Sequence, residues 1–234
     1  MASSQNGQLS DLPQLKRLIT SHNEDGKAIV HSSKDFPWQP LDEDRMAFSV
    51  VYSTSSFPPD LNKEADITTN EALMKRGVGL VNPGGTIIRC VDFAPGYRCG
   101  MHRTQSLDYG IVLEGSIDMV LDSGDIEHMK RGDVAVQRAT QHQWINTSKT
   151  QWARMMFVLQ DCEELKIGGK KLGEDLGKDL NFLPPTQHQW VNTSKTQWAR
   201  MMFVLQDCKE LEIGGKKLGE DLGKDLNFLP PSGN

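Results

Sequence analysis

No apolar run in this 234-residue chain approaches the roughly 18 residues of a membrane-spanning helix, so no membrane partner is expected. The opening "MASSQNGQLSDLPQLK" lacks the apolar core of a secretory signal, which makes the cytoplasm the expected compartment. Cysteine is scarce. There are four, none in Cys-x-x-Cys spacing, so neither a disulfide framework nor a zinc knuckle is indicated. Basic residues are scattered under a formal charge of −5, with no stripe to follow phosphates, and nucleic acid is not an expected partner. What remains is 37% hydrophobic and 24% charged residues, a balance that builds a globular core.

One long segment is present twice. Residues 140–185 and 186–231 are copies of 46 residues that differ at three positions: Ile145 against Val191, Glu163 against Lys209, and Lys166 against Glu212. The duplication leaves 188 residues of independent sequence, enough for one domain and an appendage.

Around the turn-forming "NEDG" (23–26), apolar and polar residues alternate, which predicts a β-hairpin from Lys16 to Ser32. Proline-broken loops flank the apolar "MAFSVVYS", and "EADITTNEALMKR" has the texture of a short helix. From Thr86 onward short strands follow one another, separated by turns at "APGY", "EGS", "DSGD", "KRGD" and "NTSKT". That rhythm predicts an all-β antiparallel sandwich or barrel. After Leu165 the alternation decays into a glycine- and lysine-rich stretch, expected to be a surface-hugging or mobile tail.

The chemistry gathers in two places. In "HRTQSLD", strand alternation puts His102, Thr104, Ser106 and Asp108 on one face. A second histidine, His142, follows a Gly-Asp turn on a later strand. Other histidines (His22, His31, His128) read as surface or hairpin residues, and Trp144, Trp152, Met155, Met156 and Phe157 read as core. Arg154 is expected on a solvent face.

These residues carry a resemblance. Gly96, His102, Asp108 and Gly115 are in register with the first signature motif of the cupins, with Thr104 where that motif has a second histidine and Asp108 in place of glutamate. Gly132, His142 and Asn146 match the second motif after a one-residue shortening, and Arg138 and Ala139 replace its proline and glycine. The stretch from about Leu15 to about Pro185 is similar to the small single-domain cupins of fungal biosynthetic pathways.

The resemblance implies a single jelly-roll β-barrel. Residues 86–165 would form its core, 1–85 an N-terminal arm and hairpin packing on it, 166–185 a C-terminal tail, and 186–234 a duplicate outside the barrel. It also implies a divalent metal (Fe, Mn, Zn or Ni) on His102, Asp108 and His142, with Thr104 a further and poorer ligand. The same three residues are the expected catalytic set. In a metal-free pocket, His102 or His142 would exchange protons while Asp108 orients a ring. Three readings stay open for a small-molecule substrate. They are lyase chemistry (decarboxylation or dehydration of a polyketide-like acid), an Fe(II)-dependent dioxygenase, and a non-catalytic binding barrel. A homodimer is expected, with the hairpin as the exchanged element.

Neither copy of the repeat contains the first motif, so two complete sites on one chain are excluded. If the second copy closed the barrel, a 46-residue loop would have to bulge out, at a closure cost of about 3–4 kcal/mol. The first copy is therefore expected in the barrel and His188 is expected to be silent.

Overall fold

The computed structural model describes residues 7–176 together with 208–209, 211–213 and 216–218. The hairpin is built by its turn. Asn23 Oδ1 accepts from the Asp25 and Lys27 amides at 3.1 and 2.9 Å, and Gly26 takes the left-handed conformation that closes the bend. Strands β1 (Lys16–His22) and β2 (Ala28–Asp35) pair antiparallel as a separate two-stranded arm, on which Leu18, Ile29 and Val30 are exposed.

Two further short strands, β3 (Gln39–Leu41) and β4 (Met46–Ser53), precede the helix α1 (Ala65–Arg76). They fall within the stretch read as an arm, yet both are strands of the main sheet. β4 pairs with β5 (Thr86–Phe93) from Met46↔Phe93 to Ser53↔Ile87. Next come β6 (Ser106–Glu114), β7 (Ser116–Leu121), β8 (Ile126–Lys130), β9 (Val134–Arg138), β10 (His142–Ile145) and β11 (Ala153–Asp161).

A six-stranded sheet, ordered β3-β4-β5-β11-β6-β9, packs against a three-stranded sheet, ordered β10-β7-β8. This is the jelly-roll arrangement. Its interior is apolar: Ile87, Val91, Phe93, Val112, Ile117, Trp144, Met155 and Leu159 are buried together. Both closing strands, β10 and β11, come from the first copy of the repeat, and β11 sits between β5 and β6.

The outer face of the large sheet is covered as well. Arg154 is completely buried there, not on a solvent face. Its Nε and Nη2 donate to Asp92 at 2.5 and 2.7 Å, and its Nη1 donates to Pro13 O at 2.5 Å. Ser10 Oγ donates to the same carboxylate, and Trp38 lies under the guanidinium at 4.7 Å. Arg154 was expected on a solvent face, but the segment around residues 10–15 and the Phe36–Trp38 pair lie over that face.

The glycine-rich stretch after Leu165 begins with a small hairpin, β12 (Leu165–Ile167) with β13 (Lys170–Leu172), turned by two glycines at positive φ. Beyond it Arg103 and Asp175 exchange backbone hydrogen bonds at 2.6 and 2.8 Å, tying the tail to the segment that carries His102. In the second copy, β14 (Leu211–Ile213) pairs with β15 (Lys216–Leu218). Lys209 N donates to Pro59 O at 3.0 Å and Glu212 N to Asn62 Oδ1 at 2.9 Å. The expectations for His188 and for most of 186–234 fall outside the described residues. Among the described residues, no helix is long and apolar enough to cross a membrane.

Candidate functional site

Backbone pairing brings the two histidines together. His102 and His142 form an isolated antiparallel bridge in which each amide donates to the other's carbonyl at 2.9 Å. Directly opposed residues project to the same side, and the ring centroids stand 4.4 Å apart. Each Nδ1 lies 2.9 Å from a carbonyl two residues earlier, Gly100 O or Thr140 O. A carbonyl only accepts, so both Nδ1 atoms carry the hydrogen and both Nε2 atoms keep a lone pair. Burial holds both rings neutral. The His102 pKa is lowered, with its Gly100 hydrogen bond opposing, and that of His142 is lowered to about 4 by burial and then by the neighbouring His102.

Asp108 comes from the other sheet. It lies on β6, opposite Gln137 of β9, and is buried. Thr104 Oγ1 donates to its Oδ2 at 3.0 Å, while among the described residues no hydrogen bond reaches Oδ1. Burial pushes this carboxyl up to about 6, against the opposing pull of the Ser106 and Thr104 hydroxyls and the Arg89 charge.

His102, Thr104, Asp108 and His142 line one cavity of about 90 Å³ between the sheets. That is several times the ~10–15 Å³ a single water requires. The remaining wall is mostly apolar, with Leu41, Met46, Phe48, Leu80, Val91, Phe93, Trp144, Phe157 and Leu159. Trp144 and Phe157 thus serve as core and as cavity wall. Ser106, on the same strand face as Asp108, is buried but lies outside the lining.

Two polar members of the wall were not singled out from the sequence, Gln137 and Arg89. A signal for Arg89 existed: alternation along "TIIRCVDF" sets it on one face with Ile87, Val91 and Phe93, and a cation in an apolar row is anomalous. Asn146, matched to the second motif, has a structural job. Its Nδ2 donates to Phe93 O, Ala94 O and Gln151 O, and its Oδ1 accepts from Ser148 N. The motif glycines Gly115 and Gly132 both have positive φ, and Ala139, standing where the motif has glycine, is forced to φ 51°.

The fit to a metal is incomplete. Two neutral imidazoles, each anchored through Nδ1 with Nε2 free, are the form in which histidine binds metals. Among the described residues, however, no group of three or more histidine, cysteine, aspartate or glutamate side chains stands close enough to hold an ion. The set His102, Asp108 and His142 shares a cavity without assembling as three ligands. Aspartate is one methylene shorter than the glutamate of the motif, and here its carboxylate is engaged by Thr104.

No protein-family model matches the chain. Curated proteins do. The chain is 42% identical over 187 residues to "Phomopsin biosynthesis cluster protein D" of Diaporthe leptostromiformis, covering 79% of this chain and 98% of that protein. It is 38% identical over 172 residues to "Oryzines biosynthesis cluster protein J" of Aspergillus oryzae, covering 72% and 94%. It is 40% identical over 172 residues to "Cupin-domain-containing oxidoreductase fogC" of Aspergillus ruber, covering 72% and 83%. The first of these alignments spans nearly the whole relative, so this chain is longer by roughly one copy of its repeat.

Proposed function

The chain belongs to the cupin family, as a relative of small fungal cupins, and from that premise we propose that it is a small-molecule enzyme of a fungal secondary-metabolite pathway performing lyase-type chemistry in the barrel. The observation that carries this reading is the pairing of opposite proton affinities in one apolar cavity. Two imidazoles are held neutral as bases, facing a carboxyl whose pKa is raised to about 6 so that it can serve as an acid near neutrality.

For loss of water, an imidazole Nε2 of His102 or His142 takes a proton from carbon. The C–H electron pair becomes the new double bond as the C–O bond breaks, and the Asp108 carboxyl proton goes to the departing hydroxyl. The imidazolium then returns its proton to the Asp108 carboxylate, which restores the starting state. Thr104 orients that carboxyl through its hydrogen bond. The apolar wall excludes water and strengthens each of these interactions.

A second reading, an oxidoreductase, is favoured by the likeness to the Aspergillus ruber protein named as an oxidoreductase and by the two free Nε2 lone pairs. Both readings are tested by incubating the purified chain with metabolite extract from its source strain lacking the gene. A product lighter by water or CO2 supports the lyase. A product differing by hydrogen or oxygen, with metal found in the protein by elemental analysis, supports the oxidoreductase. No consumed metabolite supports a binding barrel.

A further inference from the structure

Arg89 and Asp108 are opposite charges that act on each other within this cavity without closing an ion pair. Arg89 projects from the middle of β5 into the interior row with Ile87, Val91 and Phe93, is 4% exposed, and lines the cavity with Asp108 and the two histidines. A buried guanidinium ordinarily meets a carboxylate, because an unpaired charge in an apolar interior is costly. Among the described residues, no carboxylate lies within ion-pair distance of Arg89. Its Nη2 donates to Gly79 O and Leu80 O, at 2.5 and 3.0 Å, and the guanidinium lies 5.7 Å from the centre of the Phe48 ring. Those contacts hold the 79–80 segment and fix the plane of the group. Among the described residues they leave the Nε–H donor buried without an acceptor.

We propose that Arg89 is the substrate-anchoring residue of this cavity and that the substrate class is a small, largely apolar carboxylic acid whose carboxylate accepts from the Arg89 guanidinium. The chemistry of the wall selects this class. The guanidinium keeps its charge and an unpartnered Nε–H that can donate to one carboxylate oxygen, and the apolar residues around it match the body of a small ring or short chain. An arginine stabilises the carboxylate anion and so opposes its departure as CO2. Arg89 therefore acts as an anchor, and among lyase steps it favours elimination of water elsewhere on the molecule.

This inference rests on the cavity being the substrate site, as read above, but not on which reaction occurs there, so its test is a binding measurement. The probes are benzoate, phenylacetate and hexanoate, each compared with its neutral primary amide, titrated into the full-length chain by calorimetry. The native chain is expected to bind at least one acid about ten- to a hundredfold tighter than its amide, the range for a charge-assisted hydrogen bond. Arg89→Met should remove that preference while leaving amide affinity within about threefold, and Arg89→Lys should retain part of it. In NMR of the native chain, the bound acid should shift the Arg89 Nε–H resonance, a readout that does not depend on any variant folding. The inference is overturned if no acid binds at millimolar concentration, if acids and amides bind native protein alike, or if the preference survives in Arg89→Met. An anchored carboxylate together with unchanged turnover in His142→Ala would sink the acid–base reading and leave this one standing. Turnover dependent on His142 with no carboxylate preference would do the reverse.

Discussion

His102 and His142 face each other across a single antiparallel bridge, exchanging backbone hydrogen bonds at 2.9 Å and holding their rings 4.4 Å apart. Neither residue belongs to a long shared ladder. The bridge ties the segment before β6 to the start of β10, so that both imidazoles line the cavity that the Asp108 carboxyl of the opposite sheet also lines.

Removing either ring should therefore remove the reaction. His102→Ala and His142→Ala are each expected to lower turnover by about 10²–10⁴-fold, the usual contribution of a positioned general acid or base. Thr104→Ala, which loses only the hydrogen bond to Asp108, should cost less. The measurement is consumption of the metabolite identified from the extract. A His142→Ala enzyme at the native rate would contradict the assignment.

The pH dependence of stability has two opposed parts. The Asp108 pKa is raised to about 6 in the fold, above its unfolded value of ~3.9, so its contribution is present below ~4 and is lost as pH rises through about 6. The His142 pKa is lowered to about 4, below its unfolded ~6.5, so its contribution is present above ~6.5 and is lost as pH falls through about 4. In the native chain the two slopes overlap and largely cancel between roughly pH 4 and 6. Asp108→Asn removes one of them. Its stability relative to native should fall by on the order of 2 kcal/mol as pH is lowered from 7 to 4. Urea midpoints that track the native chain across that range would refute the opposition.

Arg154 and Asp92 form a completely buried two-pronged ion pair beneath the N-terminal segment. Arg154→Met leaves a buried carboxylate with only Ser10 as a partner, and should destabilise by about 3–5 kcal/mol. The double change Arg154→Met with Asp92→Leu should cost much less than the sum of the single changes. Additive losses in denaturant titrations would show that the pair does not act as a unit.

Ala139 sits at φ 51°, a conformation that is strained for any residue with a Cβ. Ala139→Gly should relieve that strain and stabilise by about 1 kcal/mol, offset in part by the extra freedom of glycine in the unfolded chain. A lower urea midpoint for this variant would contradict the strain.

Since β10 and β11 are both supplied by the first copy, truncation after Pro185 should retain folding and turnover, and His188→Ala should change neither. If His142→Ala stays active and only the double change with His188→Ala is dead, the second copy can take the first copy's place.

The sequence by itself determined what depends on neighbours along the chain. Alternation put His102, Thr104 and Asp108 on one face, the Asn-Glu-Asp-Gly turn set the hairpin, and the absence of a first motif from either repeat limited the chain to one site. Only the tertiary structure decided what depends on which face is covered and how far a side chain reaches. Strand β4 extends the main sheet on β5 and β3 extends it on β4, and Arg154 is buried because a distant N-terminal segment lies over it. Asp108 accepts from Thr104 through Oδ2, and among the described residues no three-ligand group assembles around the histidines. Arg89 entered the cavity because β5 forms its wall. Alternation specifies a side, but the distance across a barrel is set by how two sheets pack, and local sequence does not encode that distance.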